Sequence, residues 1–403
     1  MKLTVVIVSY NVKCYVEQCL ESLLRAVQGI DVEIYVVDNH SKDGTVPYIS
    51  QAFPHVNVIG SSHNLGFARA NNLAIRKSQA EYVLLLNPDT VVGEDTIKDA
   101  LRFMDAHGDA GALGVRMLCT DGTSAKESRR GLPTPMVAFY KMTGLCERFP
   151  KSRRFGHYYM GYLPWDEPCR IEVVSGAFCM LRKSALDKVG LLDEDFFMYG
   201  EDIDLSYRVM KGGYHNYYIP SRILHYKGES TQKSSFKYVH VFYDAMFIFL
   251  KKHYSGMSLL LSMPVKAAIY AKATLALVQM QMEKIRKSLG FFSKDNWVAP
   301  RYIFVGRKEA VEDCKKLASS RGLDAIYIIG DEKSLPQGHL SDTLEDQFEG
   351  FMGDRYVVYD VGAYKYDTIF SLFAKSSGKM LKMGFYHQKT GMMITENEVF
   401  NLL

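Results

Sequence analysis

Three short β-rich runs, at 5–8, 33–37 and 82–86, each end at a polar turn. Between them, Val16, Leu20, Leu23 and Leu24 recur at helical spacing over 15–26, and 67–75 reads as a second helix opened by Asn64-Leu65-Gly66. Alternation of strand and helix over about 85 residues predicts an α/β fold with a mostly parallel, Rossmann-like sheet covered by helices. Ligands of such sheets sit at the carboxyl ends of the strands, where the polar clusters of this chain fall.

The pattern loosens from 108 to about 172, with Gly131-Leu132-Pro133-Thr134-Pro135 and an Arg/Tyr-rich tract over 153–162, as expected of a long substrate-facing excursion. Order returns at 171–182, and a helix over 201–210 closes at Gly212-Gly213. From 238 to 289 the chain reads as apolar, basic helices broken at Ser255-Gly256 and Pro264. A new unit begins after Trp297-Val298-Ala299-Pro300, with strands at 301–305, 325–329 and 356–361 and a helix over 309–320. The domains predicted are thus 1–237, a basic helical segment over 238–296, and a small C-terminal α/β domain over 297–403.

Composition narrows the class. With 403 residues, 47% hydrophobic and 23% charged, the chain is a folded protein of more than one domain. A net charge of +4 is too mild for a nucleic-acid binder. The excess is local: 231–296 holds ten Lys/Arg against three acids, leaving −3 elsewhere. Its longest uncharged run, thirteen residues over 253–265, falls short of the ~20 that span a bilayer. Two readings stand for this segment: an in-plane helix on an anionic membrane, or a helical cap packed on protein. Seven cysteines without a C-x-x-C pair predict reduced thiols in a cytoplasmic setting. The apolar run at the N-terminus is too short for a signal peptide and reads as a buried first strand.

Five clusters carry candidate chemistry, each with a plainer reading beside it. Asp38-Asn39-His40-Ser41 ends a strand and can offer a carboxylate to a nucleoside, or simply make a turn. Gly66-Phe67-Ala68-Arg69 opens a helix whose N–H groups and Arg69 suit phosphate, or is an ordinary surface helix. Asn87-Pro88-Asp89 delivers one carboxylate from a buried strand toward a divalent cation, or is turn chemistry. Glu201-Asp202-Ile203-Asp204 follows an aromatic run; its acids complement a helix dipole, or become a general base beside an apolar wall. His225-Tyr226-Lys227-Gly228-Glu229-Ser230 holds a candidate metal ligand and diphosphate contacts, though a lone His is usually structural. In the C-terminal unit, Gly306-Arg307-Lys308 lacks the later glycines of a dinucleotide loop, so a regulatory or scaffold role is expected there.

Taken in order, with Val5-Val6-Ile7-Val8-Ser9-Tyr10-Asn11, Asp121-Gly122, Ser128-Arg129-Arg130, Val174-Ser175-Gly176-Ala177 and 190–202, these clusters resemble glycosyltransferase family 2. That family comprises inverting enzymes with a GT-A fold, and the likeness is to rhamnosyltransferase-like members that build bacterial surface polysaccharide. The resemblance implies that Ser9, Tyr10, Asn11, Asp38 and Asn39 line a nucleoside pocket, with Arg69 near the base or diphosphate. Asn87 and Gly176 belong to the same nucleotide-sugar set, and Lys227 and Ser230 would face the leaving diphosphate. Asp89 and His225 would hold Mg²⁺ or Mn²⁺; Asp202 would be the general base, with Glu201 beside it. One departure is Asn87, neutral where the family's D-x-D motif has its first acid.

The activity implied is inverting transfer from dTDP-rhamnose or a UDP-sugar to a saccharide or lipid-linked saccharide hydroxyl. It would occur in the cytoplasm, with peripheral contact at the inner membrane face. Neither tryptophan follows an arginine, so the Q-x-x-R-W motif of processive synthases is missing. The alternative is a catalytically silent nucleotide-sugar-binding scaffold. A nucleotidyltransferase would want a Gly-rich, lysine-bearing first loop where Ser9-Tyr10-Asn11-Val12 stands.

Overall fold

The computed structural model describes residues 1–226, 236–254, 298–341, 353–377 and 380–402, with isolated helical positions between 274 and 286. Strand and helix alternate from the start: β1 (Leu3–Ser9), α1 (Lys13–Ala26), β2 (Val32–Asp38), α2 (Thr45–Ala52), β3 (Asn57–Gly60), α3 (Gly66–Ile75) and β4 (Tyr82–Leu86). These strands run parallel in the order β3-β2-β1-β4, with Leu3 opposite both Val32 and Tyr82. Every residue of β1 and β4 is buried because helices cover both faces, hence their unbroken apolar runs.

The middle of the chain adds β5 (Thr90–Val92), α4 (Thr96–Ala106), β6 (Ala110–Leu118), α5 (Pro135–Met142), α6 (Leu145–Arg148), β7 (Cys169–Ile171), β8 (Phe178–Arg182), α7 (Lys183–Val189), α8 (Glu201–Lys211), β9 (His215–His225) and α9 (Phe236–His253). They extend the sheet as β4-β8-β6-β9-β5, with β7 on β9. β8 lies antiparallel to β4 and β6, while β6 and β9 run parallel. The expected loose stretch therefore begins with a nine-residue central strand, β6. Its Ala/Gly-rich sequence hides it: a Cβ at Gly111 would meet Val209 Cγ1 at 2.5 Å and Tyr214 Cβ at 2.7 Å, so α8 and the turn after it demand a glycine there.

The second sheet comprises β10 (Arg301–Gly306), α10 (Lys308–Arg321), β11 (Asp324–Ile329), β12 (Arg355–Asp360), α11 (Tyr366–Lys375), β13 (Leu381–His387), β14 (Met392–Ile394) and β15 (Val399–Asn401). Its order is β11-β10-β12-β13-β14-β15, parallel through the first four strands and antiparallel beyond. This unit is not a loose appendage. Val305, Tyr359, Phe370 and Phe373 belong to the same buried apolar cluster as Val16, Leu20 and Met104 of α1 and α4. The seam is also capped: Glu94 accepts from Tyr366 N and Asp367 N at 3.0 and 3.1 Å, and Asp367 accepts from Asp95 N at 2.9 Å.

Of the basic segment, the described part is chiefly α9, whose Ala245 and Phe249 are buried against Leu132, Phe196 and Ile203. The rest of 238–289 lies almost wholly outside the described residues. No described helix is long and apolar enough to cross a membrane.

Candidate active site

The carboxyl ends of β1, β2, β4 and β9 open onto one cleft of about 490 Å³, closed on its other side by the start of α8 and the loop before β8. Tyr10, Asn39, Asn87, Asp89, Gly176, Glu201, Asp202 and His225, all anticipated from the sequence, line it. Ser9 and Asp38 are buried and do not line it, nor does the exposed Asn11; Asp38 and Asn11 shape its loops. Asp38 Oδ1 accepts from Ser41 N at 2.8 Å, and Asn11 Oδ1 accepts from Lys42 N at 2.7 Å. Asn39 fixes the next loop, donating to Gly66 O at 3.0 Å and accepting from Leu65 N at 3.2 Å.

Arg69 does not line the cleft. Phe67 does, and two residues on, about 200° around the helix, Arg69 is exposed and reaches Glu194 at 3.8 Å. Lys227 and Ser230 lie outside the described residues.

Gly66 joins α3 to the loop before α8. Its φ is +79°, and a Cβ would stand 2.3 Å from Phe197 O, the acceptor of Phe67 N at 2.8 Å. Gly66→Ala is expected to destabilise the fold by roughly 2–4 kcal/mol from backbone strain and overpacking together. Denaturant unfolding checks this; a midpoint equal to wild type would show that the loop yields freely.

The acidic start of α8 divides into three roles. Glu201 is buried, and desolvation first, then the neighbouring Asp202 carboxylate, push its carboxyl above the usual range. Asp202 faces the cleft: Oδ2 meets Arg130 Nη2 and accepts from Gly176 N at 3.3 Å, while Oδ1 accepts from Ile203 N at 2.8 Å. Asp204 is 0% exposed and turned the other way, toward Arg208 Nε at 2.7 Å, Lys252 Nζ at 2.9 Å and His253 Nε2 at 2.6 Å. Burial alone would raise its carboxyl; His253, Lys252 and Arg208 outweigh it and hold the carboxyl below the usual range. α9 is thereby latched to the helix that carries the cleft acids.

In the same cleft, Asp89 Oδ1 lies 3.3 Å from His225 Nε2, and Asn87 Nδ2 lies 3.4 Å from the same nitrogen. The antiparallel pairing of β5 with β9 sets this, placing Thr90 opposite His225, and Tyr226 N bonds Asp89 O at 3.1 Å. Asp89 is 1% exposed. Among the described residues no third Asp, Glu, His or Cys joins the pair. One buried carboxylate and one imidazole suit a divalent cation that completes its shell with phosphate oxygens and water.

Arg130 is the residue for which sequence reading assigned no role. Arg129 ends a short helical turn in extended backbone, φ −137°, ψ 116°, so neighbouring side chains take opposite faces. Arg129 goes inward, 3.6 Å over the Trp165 ring; Arg130 goes to Asp202. Its extended backbone is held by a bridge to Val173, whose N donates to Arg130 O at 2.9 Å, and Glu172 Oε2 accepts from Leu132 N at 2.6 Å and meets His157 Nε2 at 3.0 Å. The hydrogen bond to Glu172 raises the His157 pKa from 6.5 despite partial burial. The pair's stabilisation is thus complete below pH 6.5 on the imidazole side and fades as pH rises through the raised value. The melting difference between wild type and His157→Ala should shrink above that value; a difference growing with pH would show that another group titrates.

Residues 4–190 match the model of glycosyl transferase family 2. The chain is 31% identical over 267 residues to N-acetylglucosaminyl-diphospho-decaprenol L-rhamnosyltransferase of Mycobacterium tuberculosis, covering 63% of this chain and 85% of that one. It is 25% identical over 264 residues to rhamnosyltransferase WbbL of Escherichia coli, covering 58% and 91%. Among solved structures, Staphylococcus aureus TarS 1–349 superposes with a TM-score of 0.41 at 20% identity, over 60% of this chain and 63% of that one. With a relative this similar matched over most of its length, and the family's segments meeting in one cleft, this chain belongs to glycosyl transferase family 2 and is a glycosyltransferase.

Proposed function

We propose that the chain moves a deoxyhexose, rhamnose from a thymidine diphosphate donor, to a hydroxyl of a lipid-linked saccharide at the cytoplasmic membrane face, with inversion at the anomeric carbon. The observation that carries this is Asp202, held by Arg130 and Gly176 in the cleft that Asp89 and His225 also line. The names of the two rhamnosyltransferases, one acting on a diphospho-decaprenol acceptor, support the sugar and acceptor class.

Tyr10 and Asn39, which line the cleft, would take the donor's nucleoside, and Asp89 with His225 would hold a divalent cation beside its diphosphate. A bound Mg²⁺ or Mn²⁺ supplies positive charge against the anion that builds on the departing diphosphate. Asp202 takes the proton of the acceptor hydroxyl as that oxygen attacks the anomeric carbon. The bond to the diphosphate oxygen breaks, and the nucleoside diphosphate leaves with the electron pair. A single displacement inverts configuration, with no glycosyl-enzyme intermediate of the retaining kind. Lys227 and Ser230 are assigned to the diphosphate on the resemblance alone.

Thermal melting with dTDP, UDP, GDP and CDP, each with Mn²⁺ or EDTA, tests the donor site. A ligand at a hundred times its Kd adds about 2.7 kcal/mol, or about 5–11 °C where 1 kcal/mol is worth ~2–4 °C. The expected result is a Mn²⁺-dependent shift with dTDP that Asp89→Ala removes. A shift confined to GDP or CDP overturns the donor, and one indifferent to EDTA overturns the cation.

A further inference from the structure

The excursion that leaves the cleft at Arg130 carries a surface that transfer does not require. On α5, Met136 and Phe139 are 50% and 51% exposed, one turn apart on one face, and Phe149 just past α6 is 47% exposed. These are not scattered tips. Ring contacts run from Phe139 to Tyr140 (6.0 Å), Tyr140 to Phe155 (5.0 Å) and Phe155 to Phe149 (5.7 Å), so the aromatics form one continuous knuckle. Arg148, Lys151, Arg153 and Arg154 of the same stretch are exposed, and between 135 and 155 the one exposed acid is Glu147.

The knuckle is firmly seated on the catalytic unit. Lys141 lies 3.6 Å over the Tyr158 ring, Arg154 Nε donates to Tyr140 Oη at 3.1 Å, and Gly131 N donates to Tyr158 O at 3.1 Å. Gly131 is the residue after Arg130, which meets the cleft base. The exposed aromatics are thus tied to the rim of the site.

We propose that this knuckle docks the enzyme on an anionic lipid bilayer, Met136, Phe139 and Phe149 entering the headgroup boundary while the basic rim meets the lipid phosphates. Apolar side chains such as Phe bury at that boundary, and each Lys or Arg near an anionic leaflet adds attraction. The charge selects the partner: a cluster of four exposed cations complements anionic lipid. The placement deepens the lipid-linked-acceptor reading, on which it rests, because the acceptor's saccharide would rise from the same surface beside Asp202.

The test is flotation of the full chain with vesicles of phosphatidylcholine alone or mixed with phosphatidylglycerol. Wild type should float with the mixed vesicles and much less with the neutral ones. Met136→Glu/Phe139→Glu and Arg148→Glu/Lys151→Glu should each reduce partitioning by about tenfold or more, with unchanged melting temperature. Variants that melt like wild type and float equally well would overturn the proposal and move the contact to 236–296. Failure of the wild type to float, or equal flotation on both vesicles, would overturn it too. Transfer to a water-soluble acceptor keeps the two readings apart: its loss in wild type sinks the proposed function alone, and its retention in both variants confines their defect to membrane docking.

Discussion

Asp202→Asn is expected to lower sugar transfer by about 10²–10⁴-fold, the usual contribution of a general base. The amide keeps the shape of the carboxylate and can still accept from Gly176 N, so the loop before β8 stays in place. It cannot take the acceptor's proton. The amide oxygen at the Oδ2 position, shared by Gly176 N and Arg130, keeps both hydrogen bonds, and Arg130 loses only the opposing charge. Donor binding should therefore hold or tighten while turnover collapses, and isothermal titration with dTDP beside a radiolabelled transfer assay reads both. Glu201→Gln is the control: that carboxyl is buried and pushed up by desolvation, so losing its charge should change turnover by less than about tenfold. Full activity in Asp202→Asn would remove Asp202 as the base, and equal losses in both variants would indicate a merely structural role for the pair.

The largest stability effect is expected at Asp204. Removing this carboxylate takes the ionic partner from the partly buried His253 and Arg208, while Lys252 keeps Asp193, and breaking a buried ion cluster costs about 3–5 kcal/mol. Asp204→Ala should lower the melting temperature by roughly 10 °C and free α9 from α8. The same cluster sets acid sensitivity. Asp204 is held below its ordinary 3.8, so its contribution is present above that value and is lost as pH falls through the lowered one. Wild type should lose stability there, and Asp204→Ala should show a flatter acid limb. Identical limbs would assign the acid transition to other carboxylates.

Much of this architecture was legible because its signals are local. The runs at 5–8 and 82–86 are strands buried on both faces, and Asn87-Pro88-Asp89 sits where a parallel strand must end. β6 was illegible for the opposite reason: Ala110, Gly111, Ala112 and Gly114 have weak strand preference, and what places them centrally is contact with residues a hundred positions away. Arg130 was hidden similarly. Only the alternation of extended backbone, invisible in the dipeptide Arg129-Arg130, decides which of the two arginines enters the cleft. Arg69 shows the converse, a residue chemically suited to phosphate whose helical angle turns it toward Glu194. Asp204 reads as one more helix-start acid until Lys252 and His253 at the end of α9 arrive to cover it.

The apolar cluster shared by the two sheets has a consequence for synthesis. Val16 and Leu20 leave the ribosome early, yet Phe370 and Phe373, part of the same cluster, follow some 350 residues later. At about 5–20 residues per second the first-made part of that cluster waits roughly 20–70 s for the last. During that interval the nascent enzyme presents an apolar surface that the finished chain hides, so chaperone dependence should track the arrival of the C-terminal sheet rather than completion of the cleft.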